Sequence, residues 1–263
     1  DASTYGLVIG GGRKLAANPD FAVGVHLDIA DQRLTLASPQ WGKGESTAVG
    51  VGAQLQYQPD AMAGAYAHAG LRIGIERGSM DRHVAVHNYY AAHSADWTGH
   101  SASAQAGAGY LFPLSPAVSA GPIASLNYSR VSRPAVDESG PMATRLELAS
   151  RHVDALRSSL GLGAVMRHAL DDGSVLSGRV EATWDHEWLD RDVLQDARFA
   201  GAASASAASF NSKNAVLPRN SLGLRTSLQW QHSQRFSIGA GLGGRLGDGF
   251  KSIEGQLSVR WLF

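Results

Sequence analysis

The chain of 263 residues carries 23 basic and 23 acidic side chains, a formal charge of zero, which excludes a cationic nucleic-acid binder and an acidic tail protein. Charged residues make up only 17% of it, against roughly 25% in soluble domains, and its 31 glycines are well above average usage of about 7%. Cysteine is absent, so no disulfide framework, thiolate metal site or Cys nucleophile exists, a composition that suits a chain crossing an oxidising compartment unfolded. No apolar run reaches the roughly 18 residues of a transmembrane helix. No charged-then-apolar leader stands at residue 1, so the sequence reads as a mature product or an excised domain.

Apolar residues recur at every second position in segment after segment, the signature of strands with one apolar face. In chain order the alternation predicts strands over 4–16, 21–34, 46–58, 63–79, 99–112, 117–131, 152–169, 174–189, 220–233, 236–247 and 251–263. The second shows the rule in Phe21, Val23, Val25, Leu27 and Ile29 against Ala22, Gly24, His26 and Asp28. The last shows it in Ile253, Gly255, Leu257, Val259, Trp261 and Phe263 against Glu254, Gln256, Ser258 and Arg260. Several of these runs exceed the usual five or six residues of a strand and match the roughly 9 to 11 needed to cross a hydrocarbon core at a tilt.

The connections alternate in length. Those at 17–20, 59–62, 113–116, 170–173 and 234–235 are tight, and those at 35–45, 80–98, 132–151 and 190–219 are long, with Asp248-Gly249 a short last member. Tight turns at one end and long loops at the other predict a transmembrane antiparallel up-and-down β-barrel over residues 1–263, with the tight end in the periplasm. A soluble sandwich also alternates, but its strands are shorter and its turn lengths less regular. Eleven strands is an odd number, whereas single-chain bacterial barrels have even numbers. Either a twelfth strand lies upstream of Asp1, the preferred reading because Asp1–Ser3 leads straight into a strand, or one is hidden in a loop such as 190–219.

Several runs in order resemble the translocator β-domain of autotransporters, the type V secretion proteins of Gram-negative bacteria. They are Ala106-Gly107-Ala108-Gly109-Tyr110, Leu156-Arg157-Ser158-Ser159-Leu160-Gly161, Trp184-Asp185-His186-Glu187-Trp188, the loop Ala197-Arg198-Phe199-Ala200-Gly201-Ala202, and the closing Ser258-Val259-Arg260-Trp261-Leu262-Phe263. The resemblance implies a twelve-stranded, monomeric barrel in the outer membrane. It would anchor an N-terminal passenger and mediate its secretion to the cell surface through a linker in the pore. It also implies assembly by periplasmic chaperones and the barrel-assembly machinery, with no cofactor, no metal and no nucleic acid. The sequence departs from the family pattern by starting at what would be the family's second strand.

Two sets of residues carry the candidate roles. Gly255, Leu257, Val259, Trp261 and Phe263 resemble the family's C-terminal assembly signal, a strand whose free edge pairs with another sheet. His26, Asp28, His68, Arg72, Glu76, Arg179, Glu181, Asp185, Glu187, Arg225, Arg245, Glu254 and Arg260 fall on the opposite faces of their strands and are expected to line the lumen, since a charge facing lipid near the midplane costs about 2–4 kcal/mol. No catalytic residue is expected. Autoproteolysis of the linker by Glu181, Asp185 or Glu187 finds no support because no cleavage-site asparagine can be identified. The alternative is an outer-membrane barrel enzyme, a protease or lipid hydrolase, with its site in the long loops. There His83, His87, His93 and His100 cluster with Asp81 and Asp96. Spacings of 4, 6 and 7 between those histidines fit neither a helical His pair nor a short zinc motif. A diffusion porin is a third reading, for which so few strands leave a narrow lumen.

Overall fold

The computed structural model describes residues 2–36, 42–189, 192–202, 209–215, 218–233 and 235–261. Its strands are β1 (Ala2–Lys14), β2 (Phe21–Leu36), β3 (Gly42–Tyr57), β4 (Gly64–Val86), β5 (Tyr89–Ser115), β6 (Val118–Arg133), β7 (Val136–Asp137), β8 (Leu146–Leu148), β9 (Arg151–Ala169), β10 (Val175–Glu187), β11 (Asp192–Phe199), β12 (Ser209–Ala215), β13 (Asn220–Gln231), β14 (Phe236–Gly247) and β15 (Phe250–Trp261). No helix occurs among the described residues. Eleven strands form one antiparallel sheet in the order β1-β2-β3-β4-β5-β6-β9-β10-β13-β14-β15. Every neighbour in that sheet is the next long strand along the chain, the up-and-down arrangement that the alternation of turns implies.

The connections differ from the sequence reading in three places. Residues 80–98 are not a loop: β4 and β5 extend to 23 and 27 residues, and their ladder continues through Arg82↔His93 to Val86↔Tyr89. The hairpin reverses at His87, which takes a left-handed φ of 51°. The segments 132–151 and 190–219 supply β7, β8, β11 and β12, which form a separate four-stranded sheet in the order β12-β11-β8-β7. This second sheet covers one face of the long hairpin, and Ala91, His93 and Ala95 are buried there. That burial is why the hairpin continues as ordered ladder. The strands within 190–219 therefore leave the main sheet at eleven. Within the expected long connection 190–219, residues 203–208 lie outside the described residues, as does Phe263.

The apolar side chains are on the outside. Leu7, Ile29, Val49 and Ile75 stand in one row across four strands, and Leu71, Leu160, Leu222 and Leu257 are more than half exposed. The only buried apolar residues among those described are Tyr66, Ala91, Ala95, Leu111, Val136 and Ala197. A water-soluble sandwich of this length would enclose an apolar core and show a polar exterior. This chain shows the inverse, an apolar belt facing outward and a polar face turned in. The span from Val23 to Ile29 rises about 20 Å along the strand, close to the roughly 25 Å height of such a belt. No helix of the described chain is long and apolar enough to cross a membrane, so strands are the elements that can.

The sheet curls strongly. Arg179 on β10 reaches Tyr66 on β4, four strands away in the sheet, which brings the two walls together across the interior. β1 and β15 each have one strand neighbour among the described residues, so the curl has two free edges.

Candidate functional site

The pairing register alone fixes which side chains share the inner face. His26 faces Gly52, Gly52 faces Arg72 and Arg72 faces Ser103, while Glu181 faces both Gly163 and Arg225, Arg225 faces Gly243 and Gly243 faces Glu254. Carried around the sheet, the register puts His26, His68, Arg72, Glu76, Arg179, Glu181, Asp185, Glu187, Arg225, Arg245, Glu254 and Arg260 on that one face. It adds Tyr66, Gln105, Arg157 and Thr183, which the sequence reading passed over. Their parity was available: Tyr66 stands two residues before His68, and Arg157 two before Ser159. Those on the walls from β4 round to β15, from Tyr66 and His68 through Arg157, Arg179 and Asp185 to Arg245 and Glu254, surround an interior cavity of about 390 Å³.

Three clusters divide the face. Near β2 to β5, Arg72 Nε donates to both carboxylate oxygens of Asp28 at 3.0 and 2.9 Å, and its Nη1 donates to Ser101 Oγ at 3.0 Å. The guanidinium lies flat over Gly50, where a Cβ would overlap it. In the middle, Arg179 Nη2 donates to Tyr66 Oη at 2.9 Å, its Nε donates to Glu181 at 2.6 Å, and its guanidinium sits 5.2 Å from the Tyr66 ring centre. Tyr66 in turn lies over Gly109. This is the contact that spans the interior.

The third cluster sits toward the long-loop end. Arg245 Nε donates to Asp185 Oδ2 at 2.9 Å, Arg157 Nε stands 3.8 Å from Glu187 Oε2, and Glu187 Oε1 accepts the Leu156 N–H at 2.7 Å. Asp185 and Glu187 are 3% and 2% exposed, and Asp185 Oδ1 has no hydrogen-bond partner. Two acids and two guanidiniums thus neutralise each other within the wall. Level with Glu181 in mid-strand, Arg225 and Glu254 pair at 3.1 Å while well exposed, which contributes little.

The histidines of the long hairpin do not converge. His83 Nδ1 meets Tyr90 Oη at 3.1 Å, His87 is the turn, and His93 is buried between Ser139 O and Thr144 Oγ1 at 3.1 and 2.8 Å. No group of metal-binding side chains forms among the described residues. His93 belongs instead to a strut in which Glu138, 2% exposed, accepts Arg82 Nε at 2.9 Å and the Leu146 N–H at 2.8 Å. That strut ties the small sheet to the hairpin. At the opposite end, the turn acid Asp172 accepts the Ser174 hydroxyl at 2.6 Å and N–H at 2.9 Å, which holds its carboxyl below the ordinary value of 3.8.

The family model for the autotransporter β-domain matches residues 1–243. The chain belongs to the autotransporter β-domain family. Three solved structures share its fold. The translocator domain of the autotransporter NalP from Neisseria meningitidis superposes with a TM-score of 0.70 at 15% identity, covering 100% of this chain and 82% of the other. The β-domain of the Bordetella autotransporter BrkA gives 0.67 at 19% identity, with 100% and 92% covered. The transport unit of AIDA-I from Escherichia coli gives 0.62 at 15% identity, with 100% and 84% covered. No curated protein matches the chain. Family and fold make this autotransporter domain an outer-membrane translocator of Gram-negative bacteria. The enzyme reading finds no such support in these comparisons.

Proposed function

We propose that all 263 residues act as one monomeric translocator unit, and that the inner-face residues line a hydrated passage for the chain's own passenger and linker. Twelve of them carry the reading: His26, His68, Arg72, Glu76, Arg179, Glu181, Asp185, Glu187, Arg225, Arg245, Glu254 and Arg260. The observation behind it is that the inner face carries both signs of charge, matched within the wall, around a cavity. Such a surface offers hydrogen bonds to a passing polypeptide without holding it by a large net field. A further strand between β1 and β15 would give every strand two partners and close the barrel. β1 runs from the long-loop end at Ala2, opposite Leu34, to the tight-turn end at Lys14, so an antiparallel strand preceding it would start at the tight-turn end. That entry point delivers whatever precedes it to the periplasmic mouth of the passage. The acts of the barrel are then positioning and conduction, without a catalytic residue.

Gly255, Leu257, Val259, Trp261 and Phe263 serve in this reading as the strand recognised by the barrel-assembly machinery after escort by periplasmic chaperones. The support is that the outward residues of β15, Leu257, Val259 and Trp261, present an apolar row beside an edge free of a second partner, the form that β-augmentation requires.

The absence of native cysteine makes the passage directly testable. Thr183→Cys places a thiol on the inner face and Ala182→Cys places one on the outer face of the same strand. With a second cysteine in the segment preceding Asp1 of the full-length protein, oxidation in cells is expected to cross-link through position 183, stall the passenger and spare position 182. Cross-linking at 182 alone, or surface exposure of the passenger with position 183 cross-linked elsewhere, would refute a route through the interior.

A further inference from the structure

The outer face carries a depression that the belt of apolar side chains leaves unfilled. It is a groove of about 650 Å³ across β1 to β4, within the roughly 300–1,000 Å³ of small-ligand sites. Its floor is made of small residues on three strands, Gly11, Ala53 and Ala69, and its walls of Val25, Leu55 and Leu71. The register explains the shape. Gly11, Val25, Ala53 and Leu71 form one row, and Arg13, Val23, Leu55 and Ala69 form the next row toward the tight-turn end. A Cβ placed on Gly11 would meet nothing within 4 Å, so the space there is open.

Arg13 closes the groove on the tight-turn side. It is exposed on the lipid-facing surface and makes no ion pair among the described residues. One row further out, the Phe21 and Tyr57 rings pack with centres 4.9 Å apart, an aromatic pair of the kind that marks the headgroup level. The acids of the adjoining turns, Asp20 and Asp60, stand beyond that pair along the chain. An apolar slot thus runs into the hydrocarbon from a single unpaired guanidinium at headgroup depth. That is the outline of one anionic glycerophospholipid, acyl chain along the slot and phosphate on the fork of Arg13.

We propose that this groove binds a phospholipid of the inner leaflet, held by Arg13 and by the space above Gly11. The assignment rests on the outer-membrane reading with tight turns toward the periplasm. A phospholipid fits that leaflet because its phosphate lies at the depth of Arg13. An outer-leaflet lipid would put its phosphate at the far end of the strands.

The test uses the full-length protein inserted in nanodiscs of phosphatidylethanolamine and phosphatidylglycerol, extracted into mild detergent and weighed by native mass spectrometry. One phosphatidylglycerol per chain is expected to remain bound, and excess inorganic phosphate is expected to leave it in place. Arg13→Ser should lower its retention about fivefold, the contribution of one basic residue at an anionic interface. Arg13→Lys should restore most of it, and Gly11→Leu, whose side chain occupies the slot, should abolish it. The heat-dependent gel migration typical of folded barrels reports that each variant is inserted. Overturning results are a wild type that retains no lipid, a Gly11→Leu protein that retains as much as wild type, release by inorganic phosphate, or a polypeptide in the groove instead. If the protein failed to insert at all, the membrane reading itself would fall; inserted protein without the bound lipid defeats the groove alone.

Discussion

Arg245→Ala should be among the more damaging substitutions on the inner face, for a reason written in the burial of its partner. Asp185 has a side chain only 4% exposed, its Oδ2 is satisfied by Arg245 at 2.9 Å, and its Oδ1 already lacks a partner. Removing Arg245 leaves a buried carboxylate beside Glu187, with Arg157 as the remaining cation of the cluster. Breaking a buried pair from one side costs about 3–5 kcal/mol; because Arg245 is itself 27% exposed and water can enter its place, about 2–3 kcal/mol is expected. That corresponds to a change of about 30- to 150-fold in the folding equilibrium. Asp185→Ala alone should cost less, since the freed guanidinium can hydrate. The double variant should therefore be about 1–2 kcal/mol better than the sum of the singles. Urea unfolding from lipid vesicles, followed by tryptophan fluorescence, measures all four proteins. Strict additivity, or an Arg245→Ala midpoint equal to wild type, would refute the argument by showing that the pair is already hydrated.

Tyr66→Phe removes the phenolic acceptor of Arg179 but keeps the ring beneath the guanidinium, so a loss of about 1 kcal/mol is expected in the same unfolding assay; Tyr66→Ala should cost clearly more. Glu138→Ala leaves Arg82 with Thr144 O but no carboxylate and frees the Leu146 N–H, and should expose the small sheet to protease on intact cells, with cleavage in 134–150 or 192–215 while the barrel stays folded. The lowered carboxyl of Asp172 contributes stability that is fully present above its ordinary value of 3.8 and is lost as pH falls below it. The stability difference between wild type and Asp172→Ala should therefore be present at neutral pH and shrink in acid, and a difference that grew on acidification would contradict the turn geometry.

The alternation made the eleven long strands legible because a barrel wall has two solvents and each strand must sort its side chains between them. β13, β14 and β15 follow the expected spans closely, for there apolar and polar residues alternate over most of each strand. Legibility ended where one face stopped meeting lipid. In the outer part of the β4–β5 hairpin, Ala91, His93 and Ala95 pack against the second sheet, so histidine, alanine and tyrosine replace the apolar series and the segment resembles a loop. The short strands were hidden as well: β7 and β8 have two and three residues, too few for any period to declare itself, and β11 and β12, of eight and seven residues, pair in the second sheet and not in the barrel wall. On the inner face, parity could say which charges share a surface, but not that Arg179 would choose Tyr66 across the interior. That choice depends on how far the sheet curls, a property no single strand carries.

The curl also gives the glycines their purpose. Long inner side chains lie down along the wall over a glycine of the neighbouring strand: Arg72 over Gly50, His68 over Gly107, Tyr66 over Gly109, Glu254 over Gly243. A bulkier neighbour would force each of them upright into the centre. Lying flat, they meet partners within the wall, as Arg72 meets Asp28 and Arg245 meets Asp185. Those charges are thereby paired before anything enters, and the interior is left polar. The exception is the brace from Arg179 to Tyr66, a contact between walls that must lie beside, or give way to, any chain in transit. A glycine-rich wall whose described residues carry this transverse contact fits the passage proposed above: fixed rows that neither grip nor repel, and a point at which its width can be set.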